Sequence, residues 1–132
     1  MNAPNDLGSL EYASAFGFAA TVEHLIAAIK TAGMSIFAQI DHAAGARQVG
    51  MVMPPTIVLI YGSPKGGTPV MLEAPQAALD LPLRVLVREG AGGGVRILFH
   101  PIADVMQRAG VSEDLAKKLE PAQKLLIKAV QV

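Results

Sequence analysis

The segment Gly62-Ser63-Pro64-Lys65-Gly66-Gly67-Thr68-Pro69 holds residue types that bind anions. Small residues leave backbone N–H groups open, Ser63 and Thr68 carry hydroxyls, and Lys65 carries an amine. The segment matches the first part of a phosphate-binding loop, with Gly62 followed after four residues by Gly67. Thr68 then stands where that loop has lysine, and Pro69 stands where it has the Ser/Thr that holds magnesium, so nucleoside triphosphate hydrolysis is not expected. Two readings remain: a purely structural turn, or a site for a phosphate, carboxylate or sulfate with Lys65 beside it.

Asp41-His42 is the acid–base pair of the chain by residue type. His42 could act as general base with Asp41 or Asp80 orienting it and the glycine segment stabilising an oxyanion. The competing reading has Asp41 capping the helix that follows while His42 hydrogen-bonds a backbone carbonyl. Asp80 and Arg84 frame Leu81-Pro82-Leu83. They either form an ion pair that fixes the loop, or Arg84 grips an anionic ligand in bidentate fashion while Asp80 positions it. His24 falls on the polar face of a helix and His100 ends a strand beside Pro101. The three histidines have no metal-binding spacing, and neither a metal nor a cofactor is expected. Met51, Met53 and Met71 are either gap fillers or the lining of an adaptable apolar pocket.

These side chains must be positioned by regular elements. Alternation over residues 10–16 suits a first strand. The stripe Val22, Leu25, Ile26, Ile29 predicts a helix, with Thr21 as its N-cap and Gly33 just past its end. A second strand spans 34–40, and Asp41 can cap a short helix over 42–49 that Gly50 stops. The run 56–61, Thr-Ile-Val-Leu-Ile-Tyr, has no polar face, which predicts a central strand covered on both sides. Thr68-Pro69 reads as N-cap and N1 of a helix through Glu73 that breaks at Pro75, with a further helical turn to Leu79. Residues 83–89 and 95–100, joined by Gly90-Ala91-Gly92-Gly93-Gly94, read as a β-hairpin. That glycine run opens no helix and so is no dinucleotide fingerprint. Helices follow over 102–109, from Ser112, and after Pro121.

Composition narrows the function. Apolar residues make up 52% of the 132 and charged residues 17%, enough for one packed domain spanning 1–132, with residues 1–8 expected to fray. Eleven basic residues balance eleven acidic ones, and only Lys117-Lys118 places two bases together, so no nucleic-acid partner is expected. The absence of cysteine excludes disulfides, thiolate-bound metals and thiol catalysis. No Lys or Arg precedes Lys30, and the longest uncharged stretch, 48–64, is broken by Gly50 and Pro54-Pro55. A cytoplasmic chain with no membrane span is expected. The apolar share exceeds what a small domain must bury, which predicts a homodimer.

Four motifs carry a family resemblance: Ile40-Asp41-His42-Ala43-Ala44, Pro54-Pro55-Thr56, Tyr61-Gly62-Ser63-Pro64-Lys65-Gly66-Gly67-Thr68-Pro69, and Ala78-Leu79-Asp80-Leu81-Pro82-Leu83-Arg84-Val85-Leu86-Val87. In this order, over about residues 18–101, the chain resembles the bacterial and archaeal domain-of-unknown-function family 302. Ser63 stands where asparagine is more usual. The resemblance implies a compact α+β domain, dimeric in some members, and implies no particular activity.

The expected architecture is therefore α+β, one domain with a mixed sheet of about five strands and packed helices. The expected function is the binding of a small polar or anionic ligand by Asp41, His42, Gly62, Ser63, Lys65, Gly66, Gly67, Thr68, Asp80 and Arg84. An enzyme with His42 as base, or a purely structural dimerisation domain, is the alternative. If strands two and three are parallel neighbours joined by a crossover, Asp41-His42 and the glycine segment leave the sheet at one edge and share a pocket, with Lys65 at its rim. Antiparallel pairing would send them to opposite ends.

Overall fold

The computed structural model describes residues 8–132. Gly8 apart, the expectation for residues 1–8 lies outside the described residues. In chain order the elements are β1 (Leu10–Ala13), α1 (Phe18–Thr31), β2 (Ser35–Asp41), α2 (His42–Gln48), β3 (Thr56–Gly62), α3 (Pro64–Glu73), a 3-10 segment (Pro75–Asp80), β4 (Leu83–Glu89), β5 (Val95–Phe99), α4 (Ile102–Arg108), α5 (Glu113–Lys117) and α6 (Pro121–Ala129). The strands form one sheet in the order β1-β5-β4-β3-β2.

Every neighbouring pair is antiparallel, so the expected mixed sheet is corrected to an antiparallel one. Parallel pairing of β2 and β3 would require the chain to run back along the whole of β2. The seven residues of α2 cover only about 10 Å of the roughly 20 Å of β2, and residues 49–55 turn toward β3 rather than complete the return. After α2 the chain turns at Gly50, where φ is +77°, and enters β3 from the end at which β2 finished. The β1–α1–β2 unit is no local crossover either. Its strands form the two opposite edges of the sheet, pointing the same way, and α1 packs against β2 and β4.

Local chemistry explains the element ends. Gly33, at φ +84°, follows α1 in the left-handed conformation that glycine adopts without a Cβ clash. Asp41 caps α2 by accepting a 2.9 Å hydrogen bond from the Ala44 N–H. The start of α1 differs from expectation: Gly17 is its N-cap and makes no side-chain bond. Thr21 lies inside the helix, buried, with its Oγ1 2.6 Å from Ser14 Oγ and donating to the Phe16 carbonyl at 3.3 Å. A threonine hydroxyl can satisfy a carbonyl behind it as readily as an N–H ahead of it, and here the preceding turn offers the carbonyl.

The core lies on one face of the sheet. Leu59, Val85, Val87 and Ile97 are fully buried there with Leu25 and Ile29 of α1, Met106 of α4 and Leu126 of α6. On the other face, the register aligns Ile40, Val58, Leu86 and Leu98 in one row across four strands, ending at Glu11 on β1. Ile40 is exposed and the other three apolar residues are half-buried. The expectation that β3 is covered on both sides is therefore corrected. Its apolar outer side belongs to an open face flanked by Arg84, Arg88 and Arg96. Arg88 and Arg96 stand directly opposite each other, and Glu11 reaches both, at 3.4 Å and 3.3 Å, offsetting their repulsion.

Candidate functional site

Ser63 rather than Thr68 starts α3. Its Oγ accepts the Lys65 N–H at 3.2 Å, and Pro64 follows at the first helical position, where its missing N–H has no cost. Pro69, expected at the same position of a later helix, lies inside α3. It leaves the Lys65 carbonyl without its usual donor four residues on. The anion site expected from open N–H groups is altered by this geometry. Gly66 and Gly67 both donate to the Ser63 carbonyl, at 3.1 Å and 2.9 Å, and with Lys65 capped the leading donors of the helix are engaged.

Two consecutive helical glycines are costly, roughly 1 kcal/mol each against alanine. Their surroundings show what their lack of side chains achieves. A Cβ on Gly66 would stand 3.9 Å from Leu119 Cδ2, and one on Gly67 would stand 3.8 Å from both Leu81 Cδ1 and Met71 Cε. Those neighbours belong to the wall of a cleft of about 570 Å³ that runs from the Gly62 end of β3, past Met34 and Phe37, to the α5–α6 corner. The glycines keep one side of that cleft open. The walls are mainly aliphatic, with Met71, Leu81, Leu83, Leu119, Ala122 and Leu125 among them. Of the four methionines near the candidate segments, Met34 and Met71 line the cleft, while Met51 and Met53 lie exposed before Pro54-Pro55.

Among the described residues, the ionisable side chains on the cleft are Lys65 and Lys118, both exposed, and no Asp or Glu lines it. Neither lysine is within salt-bridge distance of a carboxylate among the described residues, whereas Lys117 pairs with Glu113 at 2.8 Å. Beneath the cleft, Tyr61 fastens the sheet to α6. Its fully buried hydroxyl donates to the Ala122 carbonyl at 2.8 Å, and burial pushes its phenol well above the ordinary tyrosine range. Gln123, also buried, accepts from the Ile102 N–H at 2.9 Å and donates to the His100 carbonyl at 2.8 Å, locking α6 to the β5–α4 corner.

The sequence-predicted residues thus separate. Gly62, Ser63, Lys65, Gly66, Gly67 and Thr68 line the cleft. Asp41 and His42 do not. Asp41 pairs with Ile57 at the start of β3, and Gly62, at the other end of that strand, pairs with Ser35, so the two motifs lie roughly 20 Å apart along the strands. The expected shared pocket is corrected accordingly. Asp41 is a helix cap and His42 is exposed, its side chain without a hydrogen bond to a described residue. Asp80 and Arg84 are also exposed and form no ion pair with each other, and neither lines the cleft. His24 stacks on Phe16 with ring centroids 4.1 Å apart. Among the described residues, no group of three or more His, Asp or Glu side chains is placed to hold a metal ion. Sequence reasoning missed Lys118, Leu119 and Leu125, which the fold brings to the glycine segment from some fifty residues further on. The one signal for them was the adjacent pair Lys117-Lys118 in a chain whose bases otherwise stand singly.

An antiparallel five-stranded sheet whose core face is packed by helices, with an aliphatic cleft at its end, defines a small α+β domain. The chain belongs to the family Domain of unknown function DUF302, whose model matches residues 10–131. Its fold is similar to the crystal structure of an uncharacterized conserved DUF302 protein from Bacillus stearothermophilus. The TM-score is 0.80 at 17% identity, covering 94% of this chain and 96% of that one. Over 115 residues it is 37% identical to Fluoride-specific ion channel FluC 1 of Brucella suis biovar 1 (strain 1330), covering 86% of this chain and 45% of that protein. The match to Fluoride-specific ion channel FluC 1 of Brucella abortus biovar 1 (strain 9-941) has the same identity and covers 43% of it. The chain spans less than half the length of these relatives. Among its described residues no helix is long and apolar enough to cross a membrane.

Proposed function

We propose that the chain is a cytoplasmic, homodimeric binding module that takes a small ligand into the cleft between α3 and the α5–α6 corner. The observation that carries this reading is the cleft itself. Its volume of about 570 Å³ falls within the range of small-molecule sites, and its walls are aliphatic with a few polar groups at one side. Gly62, Ser63, Lys65, Gly66, Gly67 and Thr68 supply that polar side. The competing enzymatic reading places a general base at His42, but no side-chain hydrogen bond joins His42 to Asp41, which caps α2, or to Asp80.

Proteins named as fluoride-specific ion channels contain a matching segment that is under half of their length. This supports a module that can serve beside a second domain. Fluoride itself is a poor occupant here, because a small, strongly hydrated anion gives up its water only to closely spaced donors. The leading N–H donors of α3 are engaged, Lys65 and Lys118 are exposed to water, and most of the remaining wall is hydrocarbon.

A thermal-shift screen tests the reading. A ligand of the folded state raises the melting temperature by mass action, and Gly67→Leu, which projects a side chain into the cleft, is expected to abolish the shift. A shift that persists in Gly67→Leu places the site elsewhere. Turnover of the ligand that is lost in a folded His42→Ala variant would make the chain an enzyme instead.

A further inference from the structure

We infer that the occupant of the cleft is an amphipathic anion, a carboxylate on an extended aliphatic body, with its head between Lys65 and Lys118. The inference rests on the reading of the cleft as a ligand site and adds the chemistry of the ligand. Its first support is charge complementarity. Among the described residues, the two lysines have no carboxylate partner and no acidic side chain lines the cleft they border. A cationic ligand would meet two like charges, and a neutral one would leave both amines unused.

The second support is a comparison of magnitudes. An exposed amine paired with an anion in water strengthens binding by no more than about fivefold, and both lysines are exposed. Backbone donors add little, since the N–H groups of Lys65, Gly66 and Gly67 are bonded within the helix start. A bare inorganic anion therefore has too few partners. Each methylene moved from water into an apolar site is worth about fourfold, so the affinity must come from a body that covers Phe37, Met71, Leu81, Leu119 and Leu125. The lysines then select the head group and the direction of entry, their flexible stems following a head at variable depth.

Isothermal titration calorimetry of the full chain with decanoate, hexanoate, 1-decanol and inorganic phosphate tests this, each below its aggregation threshold. Decanoate is expected to bind at least tenfold more tightly than hexanoate or 1-decanol, and phosphate not measurably. The Lys65→Glu/Lys118→Glu variant, altered only at exposed positions, is expected to weaken decanoate by about tenfold and leave 1-decanol unchanged. Gly67→Leu, with its fold checked by circular dichroism, is expected to weaken both. Equal binding of decanoate and 1-decanol, or decanoate binding untouched by the double charge reversal, overturns the anionic head while leaving the cleft a ligand site. Phosphate binding without decanoate binding overturns the aliphatic body. Decanoate binding unaffected by Gly67→Leu overturns the cleft as the site, and with it the function proposed above.

Discussion

The two tyrosines sit in opposite situations. Tyr61 donates a buried hydrogen bond to the Ala122 carbonyl, while the Tyr12 hydroxyl is buried with no partner among the described residues, its ring stacked on Phe99 at 5.9 Å. A net hydrogen bond is worth about 1 kcal/mol and an unmet buried donor costs at least as much. Tyr61→Phe is therefore expected to destabilise the fold by about 1 kcal/mol in urea unfolding, and Tyr12→Phe to leave stability unchanged or raise it. Tyr61 also predicts a pH dependence. Burial raises its ionisation above the ordinary value near 10, so the folded state keeps a proton that the unfolded chain gives up. The contribution is complete below about pH 10 and declines as pH rises beyond it. Because lysines titrate in the same range, the quantity to measure is wild type minus Tyr61→Phe. That difference is expected to shrink above pH 10, and a difference constant to pH 11 would contradict the assignment.

At the scale of elements, β3 shows how far a pattern of residue types carries. Adjacent positions Val58 and Leu59 look alike in sequence, yet Leu59 is fully buried among the helices and Val58 lies on the open face. Leu59→Ala is expected to cost ~2–5 kcal/mol, as for a core cavity, and Val58→Ala less than about 1 kcal/mol in the isolated protomer. Equal losses would show that the outer face is covered. The same contrast explains what was legible. Features set by a few neighbouring atoms could be read: the Asp41 cap, Gly33 beyond α1, and the β4–β5 hairpin closed by Gly90 to Gly94 at 2.7 Å. Strand direction depended on whether the chain after Asp41 runs back or turns, and the motifs on either side are the same in both cases. The start of α3 had two competing cap-plus-proline pairs, Ser63-Pro64 and Thr68-Pro69. The helix starts at the first pair, which sets its glycines beside Leu81 and Leu119, neighbours that local sequence does not contain. Half of the candidate site was legible for the same reason. The glycine segment announces itself, whereas its opposite wall arrives with α5 and α6.

At the scale of the whole molecule, one sheet face is covered by helices and the other carries the row Ile40, Val58, Leu86, Leu98. Antiparallel sheets that face water normally present polar residues there. This row is apolar at its centre and bordered by Arg84, Arg88 and Arg96, the pattern of an interface core with a charged rim. A second copy would suit such a face, because a two-fold axis lying parallel to it, between the copies, lays the row against its own equivalent. Five strands about 4.8 Å apart and four to seven residues long, at about 3.3 Å per residue, present roughly 500 Å² per partner in projection, toward the low end of specific interfaces. The dimer is therefore expected to be reversible. Light scattering should report a dimer at tens of micromolar that dissociates on dilution. Leu86→Lys, at the centre of the row, should give a folded monomer throughout, while His42→Ala, at the sheet end, should leave the dimer intact. Wild type that stays monomeric at 100 µM, or a Leu86→Lys variant that still dimerises, would rule out pairing through this face.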